Sequence, residues 1–176
     1  MCRRLVAQGG HVIAADENEE ALHDLARPSA DRIAPLALDI ADRDALQRMC
    51  RCWSGEPLHL LVMAHALHDN KMLEAVLAAI TEVTTSLAPP ISVAEGAAVV
   101  IFRAAGPGAP PRRRAEAAAT AALVRGLADD GNRINALALH DSALARAMAD
   151  RVCTTALMMA LPMARAVRGA VLPVRS

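Results

Sequence analysis

Short β-type runs alternate with helical runs along the whole 176-residue chain, and this alternation constrains the fold more than any other feature. Val12-Ile13-Ala14-Ala15 reads as a buried strand, followed by a helix over Glu17–Ala26 with Asp16 placed to cap it. Ile33–Leu38 predicts a second strand, and Asp42–Cys52 a helix with Ala45, Leu46 and Met49 on one apolar face. Leu58–Val62 predicts a third strand after a Gly-Glu-Pro turn. Asn70–Leu87 predicts a long helix stopped by Pro89-Pro90, and Ala97–Phe102 a fourth strand. Beyond a rigid loop from Pro107 to Pro111, an Ala-rich helix over Glu116–Ala128 runs into Asp-Asp-Gly, with Gly131 as its C-terminal cap. Ile134–Leu139 reads as a fifth strand, Ser142–Val152 and Thr154–Met163 as helices, and Ala170–Val174 as a last short strand. Strands separated by helices in this way imply an α/β fold: a doubly wound parallel sheet with helices on both faces, in one domain over 1–176.

Composition narrows the partners. Nineteen basic residues balance 19 acidic ones, which leaves no electrostatic reason to expect nucleic acid or an anionic membrane. Trp53 and Phe102 are the only aromatic residues, so the core must be built from Ala, Leu, Val and Met, with elements packed closely. No apolar run approaches the length of a membrane span, and the start, Met-Cys-Arg-Arg, is not a secretory signal. Cys2, Cys50, Cys52 and Cys153 form no disulfide framework and are read as reduced thiols of a cytoplasmic protein.

The order of segments resembles the short-chain dehydrogenase/reductase (SDR) family along almost all of the chain. Gly9-Gly10-His11-Val12-Ile13-Ala14-Ala15-Asp16 is similar to the end of that family's first helix and its second strand. Leu36-Ala37-Leu38-Asp39-Ile40 resembles its third strand, and Leu58-His59-Leu60-Leu61-Val62 its fourth. Leu127 to Ala136 resembles the stretch from the fifth helix into the sixth strand, and Gly169-Ala170-Val171-Leu172-Pro173-Val174 the last strand. The resemblance implies a Rossmann-like domain whose first strand and Gly-rich, phosphate-binding turn lie outside the sequence, making it incomplete at its N-terminus. Gly9-Gly10 leaves a helix and enters a strand, the wrong side for a phosphate. The absent strand would lie between Val12–Ala15 and Leu58–Val62, leaving two unpaired edges or forcing them together. A misplaced gene start, a partner that completes the sheet, and a marginally stable product all fit this pattern.

The same resemblance implies a site of Asn, Ser, Tyr and Lys, in which the Tyr exchanges a proton with the reacting oxygen and the Lys tunes it. The sequence has no tyrosine, and its one lysine, Lys71, stands far upstream of the helix that carries the pair. Aligned on the flanking segments, Tyr falls near Arg113, Lys near Ala117, Ser near Arg103 and Asn near Ile80. Arginine stays protonated and cannot replace the Tyr. The family's Asn-Asn-Ala-Gly reads Met63-Ala64-His65-Ala66, and its Pro-Gly reads Leu139-His140. Loops at Ala66–Met72, Pro107–Arg112 and Leu139–Ser142 are short for walls that would enclose a substrate. No catalytic residue is assigned. Asp16, placed for the adenosine ribose, and Asp39, placed for adenine, are vestigial cofactor-binding candidates, although a helix cap and a strand end also select Asp. Without the phosphate turn no cofactor is expected to bind tightly, and NAD only weakly.

Three function classes follow. The leading one is a non-catalytic SDR-like protein, an inactive subunit of a homo- or hetero-oligomer assembled through the Ala-rich helix at 116–127. The second is an NAD-dependent oxidoreductase with His65 or His140 as an atypical acid/base. The third is a truncated or decaying gene product. Cys50-x-Cys52 near His59, His65 and His68 is too closely spaced for zinc, so no metal is expected. Arg112-Arg113-Arg114 reads as a solvated loop, with the helix beginning only near Glu116.

Overall fold

A computed structural model describes residues 1–53, 55–67, 72–140 and 146–174. Its elements are α1 (Cys2–Ala7), β1 (Val12–Asp16), α2 (Glu19–Ala26), β2 (Ile33–Ala37), α3 (Arg43–Cys52) and β3 (Leu60–Met63). They continue with α4 (Leu73–Ser86), α5 (Ala88–Val93), β4 (Ala97–Arg103), α6 (Pro111–Asp129), β5 (Ile134–Leu139), α7 (Arg146–Ala160) and β6 (Val171–Val174). Each of the strands anticipated from the sequence is present. Every pairing among the described residues is parallel. No helix among them is long and apolar enough to cross a membrane.

The strands form two sheets. One is β1-β2, and the other is β3-β4-β5-β6. Of the two outcomes open for the middle of the sheet, unpaired edges or direct pairing, the structure adopts the first. β4 and β5 hold the interior: nearly every residue of both strands is buried, as a parallel strand covered on two faces requires. One face packs against α4 and α6 through Val76, Ile80, Val83, Val124 and Leu127, and the other against α7 through Val152 and Ala156. The β1-β2 unit has a separate, smaller core of Ala14, Leu22, Ala26 and Ile33.

Local chemistry explains where the boundaries differ from the sequence reading. The cap of α2 is Asn18, which accepts from the Ala21 amide at 2.9 Å, while Asp16 accepts from the Asn18 amide in the preceding turn. Pro89-Pro90 stops the long helix as expected, and a further short helix, not read from the sequence, begins there. Leu87 ends α4 and the prolines open α5, where a missing N–H costs nothing. The Ala-rich helix starts five residues before the expected Glu116, at Pro111, because Arg112 pairs with Glu116 one turn on (2.7 Å). The two C-terminal helices merge into the single α7, whose predicted start at Ser142 lies outside the described residues, as do Asn70 and Lys71. The cap of α6 is Asp130, one residue before the expected Gly131, which follows it at φ +93° with its amide donating to the Ala128 carbonyl.

The four thiols sit in different surroundings, and none is in a disulfide. Cys52 is exposed and Cys2 half-buried, whereas Cys50 and Cys153 are buried. Burial pushes the Cys50 thiol up from its ordinary value, reinforced by the Glu82 carboxylate and opposed by a hydrogen bond with Ser86. Iodoacetamide will therefore alkylate the exposed Cys52 well before the buried Cys50, a difference that peptide mass mapping reads directly. A raised folded-state pKa favours the fold only while the thiol is neutral. Its contribution is present below the ordinary thiol value of 9.0 and is lost as pH rises through the folded-state value.

Candidate functional site

A cleft of about 1110 Å³ opens between the facing edges of β1 and β3. Ile13, Ala15 and Asp16 line it from β1, Leu60 and Val62 from β3, and His65 from the turn after β3. The α3 residues Leu46 and Met49 wall it on one side, and the α7 residues Leu157 and Ala160 contribute elsewhere. The lining is largely apolar. In doubly wound sheets ligands gather at the carboxyl ends of the strands, so the end of this cleft marked by Asp16 and His65 is the natural place to look for chemistry.

Of the sequence-nominated residues, Asp16 lines the cleft and is exposed. Asp39 is exposed and does not line it, although its neighbours Leu38 and Ile40 do. Asp39 instead accepts from the Ala41 amide at 2.9 Å in the turn leading to α3. Both carboxylates therefore serve local turns, the structural duty that competes with a ribose or adenine contact. His65 reaches the cleft, whereas His140, at the end of β5, is not among its lining residues, so the cleft brings only one of the two candidate acid/bases into play.

The four aligned catalytic positions are equally uneven. Ile80 is fully buried in the core against α6 and β4. Arg103 closes β4 and is half-buried. Arg113 and Ala117 stand four apart on α6 and share a half-buried face. That face carries a fixed cation and a methyl group, neither of which exchanges a proton near neutral pH. Gly9, at φ +88°, and Gly10 end α1, where the Gly10 amide donates to the Leu5 carbonyl at 3.0 Å. That places them on the entry side of β1, as their sequence position implied.

Among the described residues no three of His, Cys, Asp and Glu converge on a point where a metal ion would sit. His68 lies outside the described residues. Sequence reasoning missed one residue with wide reach, Arg133, whose guanidinium donates to the carbonyls of Glu95, Gly96, Met159 and Leu161. An Arg directly before a strand gives no periodic signal, and its partners are backbone atoms far away in sequence. Desolvation lowers its pKa from the ordinary arginine value, with repulsion from Arg168 adding to it.

Solved structures share this fold over nearly the whole chain. An oxidoreductase of the short-chain dehydrogenase/reductase type from Brucella ovis superposes with a TM-score of 0.69 at 17% identity, covering 98% of this chain and 92% of its own. A Burkholderia multivorans protein described as a short-chain dehydrogenase/reductase, solved with bound NADP, gives 0.71 at 14% identity, over 99% and 90% of the two chains. Serine dehydrogenase from Escherichia coli gives 0.68 at 18%, over 98% and 89%. The fold is that of the short-chain dehydrogenases/reductases. No protein-family model and no curated protein matches the sequence, so the likeness lies in the backbone. Identities of this size establish the SDR fold alone, and a chemical role must be argued from the side chains.

Proposed function

We propose that this SDR-fold protein is non-catalytic and acts as a subunit in an oligomer, with an intact relative as its partner. One observation carries the reading: the chain contains no tyrosine, so at the position resembling the family's proton donor there is no phenol. The neighbouring positions agree, since Ile80 is sealed in the core and Ala117 has no functional group. The exposed side of α6 presents Ala115, Ala118 and Ala122, a low surface over which a second helix can approach closely. Cofactor affinity is expected to be weak, because Asp16 and Asp39 already serve their own turns.

Calorimetry with NAD and NADH at millimolar concentration will give no binding heat, and co-expression with an SDR-type protein will yield a mixed oligomer on gel filtration. Nicotinamide-coupled turnover abolished by His65→Ala would overturn the reading and establish the alternative, an NAD-dependent oxidoreductase with an imidazole acid/base. That alternative has one specific support: His65 lines the same cleft as Asp16.

A further inference from the structure

The end of α6 is closed by a set of hydrogen bonds around one glycine. The Gly131 amide donates to the Ala128 carbonyl at 3.0 Å, and the Asn132 amide to the Leu127 carbonyl at 3.2 Å. Gly131 takes the left-handed φ of +93° that this closure needs, which costs a residue without Cβ little. The Asn132 side chain adds a third bond, its Nδ2 donating to the same Leu127 carbonyl at 2.9 Å. The turn meets solvent: Asp130 and Gly131 are exposed, and Asn132 is half-buried.

Asp130-Gly131 is also the only Asp-Gly step in the sequence, and Asn-Gly does not occur. Such a step is prone to rearrange its own main chain. The glycine nitrogen attacks the aspartyl Cγ, because no side chain shields it. A five-membered imide ring closes, and the carboxyl hydroxyl leaves as water with the amide proton. Water then reopens the ring at either carbonyl. Breaking the bond from Cγ to nitrogen restores aspartate. Breaking the bond from the former main-chain carbonyl carbon leaves isoaspartate, with the chain running through Cβ and Cγ. One water is lost and one regained, so the mass is unchanged and no oxidant, reductant or cofactor takes part.

The fold holds this reaction back. Ring closure requires the Gly131 nitrogen to swing round until it eclipses the Asp130 Cβ, and at ψ 6° it stands far from that position. The swing also breaks the bond to Ala128 and draws Asn132 away from Leu127. The nucleophile is therefore engaged while α6 keeps its last turn and is released when that turn frays.

We propose that Asp130-Gly131 is a covalent modification site that isomerises to isoaspartate, with opening of the α6 terminus as its gate. The product adds one carbon to the main chain three residues before Arg133. The Arg133 guanidinium holds the carbonyls of Glu95, Gly96, Met159 and Leu161, so the longer connection loosens the end of α7 as well as that of α6. The modification is unrelated to catalysis and to oligomer formation.

The test incubates the full chain near neutral pH, folded and in urea. Isoaspartate is followed by peptide mapping and by enzymatic methylation of the isoaspartyl carboxyl group. It will form at residue 130, at least ~10-fold faster in denaturing urea than in the folded protein. Asn132→Ala removes the side-chain bond to Leu127 and will raise the folded-state rate about fivefold, with hydrogen exchange of the Gly131 amide rising by the same factor. Sub-denaturing urea, which needs no substitution, will raise both rates together in the wild-type chain. Asp130→Glu keeps the carboxylate but requires a six-membered ring, and it will abolish the product while Gly131 exchange stays unchanged. Equal rates in the folded and unfolded chain would overturn the gate. So would faster Gly131 exchange without faster isomerisation, in Asn132→Ala or in mild urea. Isoaspartate accumulating at another residue while 130 stays intact would overturn the site itself.

Discussion

Gly96→Ala will lower the melting temperature by roughly 6–12 °C, the largest loss expected from a methyl group added at any of the glycines, corresponding to about 3 kcal/mol at 2–4 °C per kcal/mol for a chain of this size. Gly96 links α5 to β4, and its amide donates to the Ile91 carbonyl at 2.8 Å. A Cβ built there stands 2.3 Å from the Leu58 carbonyl oxygen, 2.6 Å from that of His59 and 2.8 Å from the His59 carbonyl carbon. All three are backbone atoms at the entry to β3, so no rotamer change relieves the overlap. The β3–β4 register would have to shift, and that register positions the β3 edge of the cleft. Gly126→Ala is the matched control. It lies on the exposed side of α6 with nothing within 4 Å of a new Cβ. Removing a glycine from a helix interior there will stabilise the protein by about 0.5–1 kcal/mol. Differential scanning calorimetry of the two variants should show opposite shifts; two similar shifts would mean that the close approach at Gly96 is absent in solution.

What was legible in the sequence followed from periodicity and caps. β5 matched residue for residue because Ile134–Leu139, apolar but for Asn135, is bounded by Asn-Arg and His. The start of α3 was legible to one residue: the helix read from Asp42 begins at Arg43, and Asp42 caps it, its side chain accepting from the Ala45 amide at 2.9 Å. The stop before Pro89-Pro90 was legible, since α4 ends at Ser86 with Leu87 as its cap, but the short α5 that the prolines open was not, because proline stops one helix and starts another with equal ease. The site was less legible than the scaffold. That Asp16 faces the cleft and Asp39 does not depends on how the chain leaves each strand, which neither propensity nor spacing encodes.

Arg133→Met will destabilise the protein by roughly 2–4 kcal/mol, since charged hydrogen bonds to backbone carbonyls contribute about 1.5–3 kcal/mol each before partial replacement by water. One guanidinium nitrogen donates to the carbonyls of Glu95 and Gly96 at the entry to β4, and the other to Met159 (2.9 Å) and Leu161 (2.8 Å) at the end of α7. Those carbonyls belong to segments joined by no ladder of their own. Glu95 is held at φ +53°, a left-handed conformation that a non-glycine residue adopts only under constraint, and its carboxylate pairs with Arg165. Without Arg133 that turn loses its anchor and α7 loses its tether to the sheet. Methionine keeps much of the stem and none of the donors, so the variant isolates the hydrogen bonds from the packing. Lysine keeps the charge but cannot fork between two pairs of carbonyls, and Arg133→Lys should recover less than half of the loss. Urea unfolding of the three proteins will rank them wild type, Lys, Met. Indistinguishable lysine and wild-type midpoints would show that charge alone, rather than the forked geometry, holds the end of α7 against β4.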